Sequence, residues 1–192
     1  MSDSQPPQIV GVWHALLAAT TLGFVSAVAD WIWFRFLEDG AIVPALVHGL
    51  AFFIVIALVL APGSSRNVRR GDVVRRLLAS LPLVGVGLAA VFYPVARLTG
   101  YLTALLITWA AMWIAMALLL RWATRQAHAR RQSVLRGFIA AVLSGAAFAT
   151  VSWMWTAPSP GGPSVPLHFA CWTWALLPGF AALLVRRTSE AG

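Results

Sequence analysis

The chain has 192 residues, of which 60% are apolar and only 10% are charged, and its net charge is +8. A soluble globular domain is about a quarter charged, so this composition excludes that class and indicates a membrane protein. The single cysteine excludes an internal disulfide and a cysteine-rich metal or iron–sulfur site. All 14 basic residues are arginines, and the lack of lysine excludes a retinal or pyridoxal Schiff base. We therefore expect no cofactor.

Six apolar runs are each long enough to cross a hydrocarbon core of about 30 Å as a helix. In chain order they cover residues 9–34, 42–62, 77–97, 101–121, 137–155 and 165–185. Their uniform apolarity favours helices over the alternating strands of a membrane barrel, and only these two structures satisfy the backbone hydrogen bonds in lipid. The sequence thus predicts an all-α polytopic integral membrane protein, in which residues 1–192 form one domain of six transmembrane helices.

The arginines lie on alternate sides of the predicted spans. Twelve of them fall between spans two and three, between spans four and five, and after span six: Arg66, Arg69, Arg70, Arg75, Arg76, Arg121, Arg125, Arg130, Arg131, Arg136, Arg186 and Arg187. The opposite side carries only Arg35 and Arg97. Because arginine concentrates in cytoplasmic loops, both termini are predicted to be cytoplasmic. Topology explains the positive charge without a nucleic-acid partner, and binding of anionic lipids is the alternative.

Tryptophans mark both predicted membrane surfaces. The outer surface has Trp31, Trp33, Trp153, Trp155, Trp172 and Trp174, and the inner surface has Trp13 and Trp122. Trp109 and Trp113 share one face deep in span four, which predicts a helix contact or a cavity. Pro82 and Pro178 interrupt spans three and six and are expected to kink them.

Ionisable and polar side chains within the spans collect near the outer surface. They are Asp30 in span one, His48 in span two, Tyr93 and Arg97 at the end of span three, and His168 at the start of span six. A buried charge costs about 2.5–3.5 kcal/mol, so such groups face the bundle interior and pair. We expect Asp30 to pair with Arg97 or Arg35 and to contact His48 or His168. A structural polar cluster and a cavity for a polar headgroup both account for this pattern.

Two other chemistries have weaker signals. One acid and two histidines could bind zinc, but they come from three helices and no spacing fixes a site, so we expect no metal. Ser144 in VLSGAAFA, one helix before His168, is similar to the nucleophile and base of an intramembrane serine protease. The same stretch is better explained as a packing face of small residues four apart, at Ala141, Gly145 and Ala149.

Two stretches resemble the insulin-induced gene (INSIG) family of six-helix membrane proteins and its bacterial relatives. IVPALVHGLAFFIVIALVLAP is similar to the second span of that family, and CWTWALLPGFAALLVRR is similar to its last span. The family carries an acid beside the arginines after span four, whereas RWATRQAHARR here has none. The resemblance implies a non-enzymatic six-helix protein, an oligomer, which holds a sterol or other lipid between its helices.

The leading interpretation is a non-enzymatic protein of the bacterial cytoplasmic membrane that binds or senses a lipid or sterol-like molecule. The predicted ligand-binding residues are Asp30, His48, Tyr93, Arg97, His168, Trp172 and Trp174. Asp30 and His48 would exchange hydrogen bonds with the headgroup, and Trp172 and Trp174 would form the walls of the cavity mouth. The first alternative is a small proton- or cation-coupled transporter or channel that uses Asp30 and His48. A membrane-embedded lipid enzyme is the second alternative, although no catalytic residues are recognisable. A homo-oligomer is compatible with the sequence, and no partner protein is identified.

Overall fold

The computed structural model describes residues 10–36, 71–72, 75, 94–123, 130–156 and 164–184. Almost all of these residues are helical and none of them forms a strand, which confirms the predicted all-α class. The helices are α1 (Val10–Phe36), α2 (Tyr101–Ala123), α3 (Arg130–Val151), the single turn α4 (Trp153–Thr156) and α5 (Val165–Leu184). The predicted second span and most of the predicted third span lie outside the described residues.

Three described helices are long and apolar enough to cross a membrane. They are Gly11–Ile32, Arg130–Val151 and Val165–Leu184, and the shorter apolar stretch Leu106–Trp122 lies within α2. Large apolar side chains are exposed along these helices, among them Trp13, Leu17, Phe24, Phe138 and Val142. A soluble monomer rarely exposes so much apolar surface, whereas lipid solvates it well. Helix length and surface composition together indicate a membrane protein.

Helix α3 differs most from its predicted span of residues 137–155. It begins at Arg130 and ends at Val151, where Ser152 forms a turn before α4. An apolar run marks where lipid begins, but a helix continues into water because its hydrogen bonds are internal and arginine is a good helix former. Arg130, Arg131 and Arg136 therefore belong to α3 itself. Helix α5 also runs through Pro178 without ending there.

A one-residue connection at Gly100 precedes α2. Residues 94–99 are helical, and the N–H of Gly100 donates to the carbonyl of Ala96 at 3.0 Å. The carbonyl of Gly100 then accepts from the N–H of Ala104 at 3.1 Å, in the first turn of α2. Gly100 has φ of +88°, the left-handed conformation in which glycine commonly ends a helix. The helix before α2 thus extends two residues beyond the predicted limit at Arg97.

Small residues let the long helices pack closely. Helix α5 packs against α1 and α3, and α3 also packs against α2. A Cβ atom on Gly23 of α1 would lie 2.9 Å from the backbone nitrogen of Thr173, and one on Gly137 of α3 would lie 2.6 Å from the Cα of Ile114 in α2. Both glycines therefore mark close approaches of helix backbones, a frequent arrangement in membrane bundles. Around these contacts lies a core that includes Ala15, Ala18, Ala19, Leu22, Trp113, Met116, Ala140, Leu176 and Phe180.

The packing face of α3 differs from the predicted one. Its buried residues are Ser133, Gly137, Ala140, Ala141, Ser144 and Ala147. Of the predicted trio, Ala141 is buried, Gly145 is half-buried and Ala149 is exposed. Gly137 is on the same four-residue row as this trio. Because four residues exceed a 3.6-residue turn, the row rotates by about 40° at each step, away from the core, and Ser144 and Ala147 take its place in the contact. The predicted face of small residues therefore packs against the bundle at Ala141 and no longer does so at Ala149.

Candidate functional site

A carboxylate, an imidazole and an indole meet between α1 and α5. The indole N–H of Trp172 donates to Oδ2 of Asp30 at 2.7 Å. Nδ1 of His168 lies 3.0 Å from the same oxygen. We call Asp30, His168 and Trp172 the polar cluster.

The geometry of two antiparallel helices produces this cluster. His168 and Trp172 are four residues apart on α5, so their side chains lie one above the other on the same face. Asp30 lies in α1 seven residues after Gly23, close to two full turns, and therefore on the face that approaches Thr173 of α5. The close contact at Gly23 and the polar cluster thus belong to one interface.

One oxygen of Asp30 takes part in both hydrogen bonds of the polar cluster. An indole nitrogen is only a donor, so Oδ2 of Asp30 must be the acceptor of the bond from Trp172. His168 donates to the same oxygen in the tautomer that carries its proton on Nδ1. Two donors from a single turn of α5 therefore satisfy one oxygen of Asp30.

The polar cluster is largely withdrawn from the surface. The side chain of Asp30 is 12% exposed and that of His168 is 8% exposed. A carboxylate at this depth in a membrane helix is costly unless it is paired, and it marks a candidate functional site. The pairing offsets the burial cost, so the same geometry also stabilises the contact between α1 and α5.

Aromatic rings continue from the polar cluster into the centre of the bundle. Ring centroids are 5.8 Å apart for Trp172 and Phe148, and 5.6 Å for Phe148 and Trp109. The series continues at 6.4 Å from Trp109 to Trp113, and at 5.2 Å from Trp113 to Phe180. These spacings are typical of favourable edge-to-face and tilted aromatic pairs. We call these five residues of α2, α3 and α5 the aromatic column.

Buried hydrogen-bonding atoms lie beside the aromatic column. Thr108 Oγ1, Trp109 Nε1 and Thr173 Oγ1 are buried and have no hydrogen-bond partner among the described residues. Buried polar groups are usually satisfied, so these three can bond to a ligand, to water or to the remainder of the chain. Gly145 leaves room next to Trp109, because an added Cβ would lie 3.8 Å from Nε1, at ordinary van der Waals distance.

The structure separates the two tryptophans that were both predicted to line the cavity. Trp172 faces inward, whereas Trp174 is 57% exposed and donates from Nε1 to Thr150 Oγ1 at 3.0 Å. Two residues along a helix correspond to a rotation of about 200°, which places the rings on opposite faces. This geometry therefore does not support the prediction that Trp174 forms a wall of the same cavity. The outward orientation of the Trp174 side chain suits an interfacial anchor.

The other predicted residues have varied outcomes. His168 is the histidine that contacts Asp30, as one of the two predicted alternatives had it. Arg97 is exposed and forms no ion pair within the described part of the chain. His48 and Tyr93 lie outside the described residues. The described residues also contain no group of three metal-ligating side chains.

The serine of VLSGAAFA has a structural partner. The Ser144 hydroxyl is fully buried and donates to the carbonyl of Ala175 at 2.7 Å. Pro178 has no N–H for the carbonyl of Trp174, four residues before it, and the carbonyl that Ser144 contacts is the next one along α5. The Ser144 bond therefore links α3 to α5 through a backbone carbonyl, as polar side chains commonly do between membrane helices. With Ser144 bonded to Ala175 and His168 bonded to Asp30, the described contacts do not form a nucleophile–base pair.

The sequence pattern did not predict the aromatic column. The four-residue spacing of Trp109 and Trp113 predicted that they share one face, but nothing in the sequence predicted their connection through Phe148 to Trp172. The spacing of Phe148 four residues after Ser144 is the available signal, because it places Phe148 next to the buried face of α3. Comparison with protein-family models, curated proteins and solved structures finds no match.

Proposed function

We propose that this chain is a six-helix protein of the bacterial cytoplasmic membrane, with both termini in the cytoplasm, that binds a lipid or sterol-like molecule. It acts as a binding or sensing protein without catalysis, like the INSIG family that two of its stretches resemble. The polar cluster binds the polar group of the ligand, and the aromatic column contacts its apolar part.

Helix direction supports an even number of crossings between α1 and α2. The contact of Gly137 with Ile114 and the ring contact of Phe148 with Trp109 show that α2 and α3 are antiparallel. By the same reasoning, α5 is antiparallel to α3, since Ser144 contacts Ala175 and Phe148 contacts Trp172. It is also antiparallel to α1, since Gly23 approaches Thr173 and Asp30 contacts His168. Helices α1 and α3 therefore share a direction opposite to that of α2. The two apolar runs at residues 42–62 and 77–97 supply two crossings, which brings the total to six.

Cysteine accessibility tests this topology. In a Cys171→Ser background, Gly161→Cys is expected to react with a membrane-impermeant maleimide on intact cells, and His128→Cys only after permeabilisation. Ser65→Cys decides between six spans and four, because residue 65 is cytoplasmic only if both intervening runs cross the membrane. Labelling of Ser65→Cys from outside would refute the six-span arrangement.

The polar cluster is the observation that carries the ligand proposal. Its carboxylate, imidazole and indole combine hydrogen-bond acceptors and donors on the side of the bundle that is outer in the proposed topology, and the residue directly after Asp30 is the exposed Trp31. Ligand sites in helical bundles are mostly apolar and have a few convergent polar groups. The aromatic column provides the apolar surface, and the indole N–H of Trp109 is a further donor beside it.

Mass spectrometry of co-purified lipids tests the proposal. We expect one lipid class to be strongly enriched over the bulk membrane extract when the protein is purified in mild detergent. Asp30→Asn keeps the shape of the side chain and removes its charge, so it is expected to reduce that enrichment at least ten-fold, and His48→Ala is expected to do the same. A bulk-like lipid profile in the wild type, or unchanged enrichment in both variants, would refute the proposal and leave Asp30 with a purely structural role.

Matched variants separate ligand contacts from general damage. Trp172→Phe removes the donor to Asp30, whereas Trp174→Phe removes an outward-facing indole from the same turn of α5. His168→Ala and His14→Ala form a second pair, with His14 near the opposite end of α1. Of these four variants, only Trp172→Phe and His168→Ala should reduce the enrichment of the co-purified lipid. Size-exclusion profiles and melting temperatures identify any variant that loses its fold.

A second candidate function is proton- or cation-coupled transport that uses Asp30 and His48. The 3.0 Å contact between His168 and Asp30 favours it, because acid–histidine pairs relay protons in membrane carriers. Proteoliposomes with an imposed pH gradient and a pH-sensitive dye separate the two functions. A binding protein should show no flux above empty vesicles, whereas a transporter should show flux that Asp30→Asn abolishes.

A further inference from the structure

The indole N–H of Trp109 is a buried hydrogen-bond donor in the middle of the aromatic column. Its nitrogen is buried and has no hydrogen-bond partner among the described residues. A buried N–H without an acceptor is costly, so proteins pair such groups with other protein atoms, with water or with a bound molecule. Because an indole nitrogen is only a donor, the group that completes this site must be an acceptor.

The aromatic column places this donor one ring away from the polar cluster. Ring centroids are 5.8 Å apart for Trp172 and Phe148 and 5.6 Å apart for Phe148 and Trp109, so the two indoles are at most about 11 Å apart. The indole of Trp172 in turn bonds to Asp30. A ligand whose polar end contacts the polar cluster can therefore present a second polar group to Trp109.

Gly145 of α3 leaves space at the edge of the indole that carries the N–H. A Cβ atom added to Gly145 would lie 3.8 Å from Nε1 and 3.9 Å from Cδ1 of Trp109, so this edge of the ring faces Gly145. Gly145 is half-buried, and Ala146 and Ala149 on the same helix are exposed. The space beside the N–H thus borders the surface of α3 that lipid would cover, and a hydrocarbon chain can leave the bundle there.

The surroundings of Trp109 favour a carbonyl over a hydroxyl as the acceptor. The described neighbours of its indole are Phe148, Trp113 and Gly145, and none of them carries a side-chain acceptor. A ligand hydroxyl that accepts from Trp109 would leave its own proton without an acceptor in apolar surroundings, which is costly. A carbonyl only accepts, so a single bond from Trp109 satisfies both groups.

We propose that the ligand of the polar cluster is an acyl lipid, and that its ester or amide carbonyl accepts a hydrogen bond from Nε1 of Trp109. This inference rests on the proposed lipid-binding function and specifies the class of the ligand. In an acyl lipid the carbonyl lies between the headgroup and the hydrocarbon chains. That order matches the sequence of contacts from the polar cluster to Trp109 and on to the space at Gly145. A sterol-like or polyprenyl molecule has no carbonyl at this position and would leave the N–H of Trp109 unpaired.

Native mass spectrometry of the full-length protein in mild detergent tests the proposal. The probes are phosphatidylethanolamine and phosphatidylglycerol, each in a diacyl form and in a dialkyl form with chains of the same length. The dialkyl form keeps the headgroup and replaces each ester by an ether, which removes the carbonyl. For the headgroup that binds more tightly, we expect the diacyl form to bind about five-fold more tightly than the dialkyl form, the effect of one hydrogen bond. Equal affinities of the two forms with both headgroups would overturn the proposal, and this comparison needs no variant to fold.

Variants locate the ester preference at Trp109. Trp109→Phe keeps an aromatic ring beside Phe148 and removes the donor, so it should lower the preference to less than about two-fold. Trp174→Phe removes an exposed indole and should keep the preference. Gly145→Ala should also lower it, because the added methyl group takes up the space beside Nε1. An unchanged preference in a Trp109→Phe protein that keeps its melting temperature would overturn the assignment.

The lipids that co-purify with the protein distinguish failure of this inference from failure of the proposed function. An enriched lipid that carries an ester or amide supports both. An enriched polyprenyl or sterol-like lipid that Asp30→Asn removes would overturn the acyl-lipid inference and leave the binding function intact. A bulk-like profile, together with no binding of any of the four probes, would refute both.

Discussion

Replacing Gly137 with alanine is expected to destabilise the contact between α2 and α3. The new Cβ would lie 2.6 Å from the Cα of Ile114 and 2.9 Å from the carbonyl oxygen of Trp113. Both neighbours are backbone atoms, so relief requires the helices to separate by about 1 Å rather than a side chain to rotate. Overpacking of this kind costs about 1–3 kcal/mol, or roughly 2–12 °C in Tm. Thermal unfolding in mild detergent, followed by circular dichroism, measures this loss.

Gly145→Ala on the same helix is the matched control. Its Cβ would meet Trp109 at 3.8 Å, which is an ordinary contact. The better helix propensity of alanine, worth up to about 1 kcal/mol, should leave this variant at or slightly above the wild-type Tm. Equal shifts in the two variants, or a larger loss in Gly145→Ala, would refute the close approach of α2 and α3 at Gly137.

Three further outcomes follow from the described contacts. Ser144→Ala removes the hydrogen bond to Ala175 and is expected to cost about 0.6–1.7 kcal/mol in the same unfolding assay, whereas Ser152→Ala, whose bond is local, should be nearly neutral. Gly100→Ala forces a left-handed conformation on alanine and should cost about 1 kcal/mol, measured in the same way. Cys171 is buried, so a maleimide should label it only after denaturation in detergent, as mass measurement would show; rapid labelling of the folded protein would contradict its burial.

The apolar runs predict helices reliably because only a helix or a closed barrel satisfies its backbone in lipid. Their limits are less informative, as α3 shows. Hydropathy indicates where side chains pass from water into lipid, which here is residue 137. The helix itself begins seven residues earlier, at Arg130. For the same reason, hydropathy does not predict the turn at Ser152 within the fifth span, because the residues on both sides of that turn are apolar.

The polar cluster was predictable in its members and not in its pairings. Burial cost predicts that Asp30 has partners, but sequence alone leaves two candidates for the ion pair, Arg97 and Arg35, and two for the hydrogen bond, His48 and His168. The four-residue spacing of His168 and Trp172 indicates a shared face, and the two-residue spacing of Trp172 and Trp174 indicates opposite faces. Which of these faces meets α1 depends on how the helices pack. That information lies in small residues such as Gly23, whose effect is visible only in three dimensions.

Gly23 connects the packing of α1 to the chemistry of Asp30. A Cβ at Gly23 would lie 2.5 Å from Oγ1 and 2.9 Å from the backbone nitrogen of Thr173, so Gly23→Ala must separate α1 from α5 locally. Asp30 lies two turns away on the same face, and its bond to Trp172 is only 2.7 Å long, so a separation of 1 Å is enough to break it. Gly23→Ala is therefore expected to reduce both the Tm and the enrichment of the co-purified lipid, although it lies about 10 Å from Asp30. Gly145→Ala should preserve the Tm. Normal lipid enrichment in a destabilised Gly23→Ala protein would mean that ligand binding does not depend on the interface between α1 and α5.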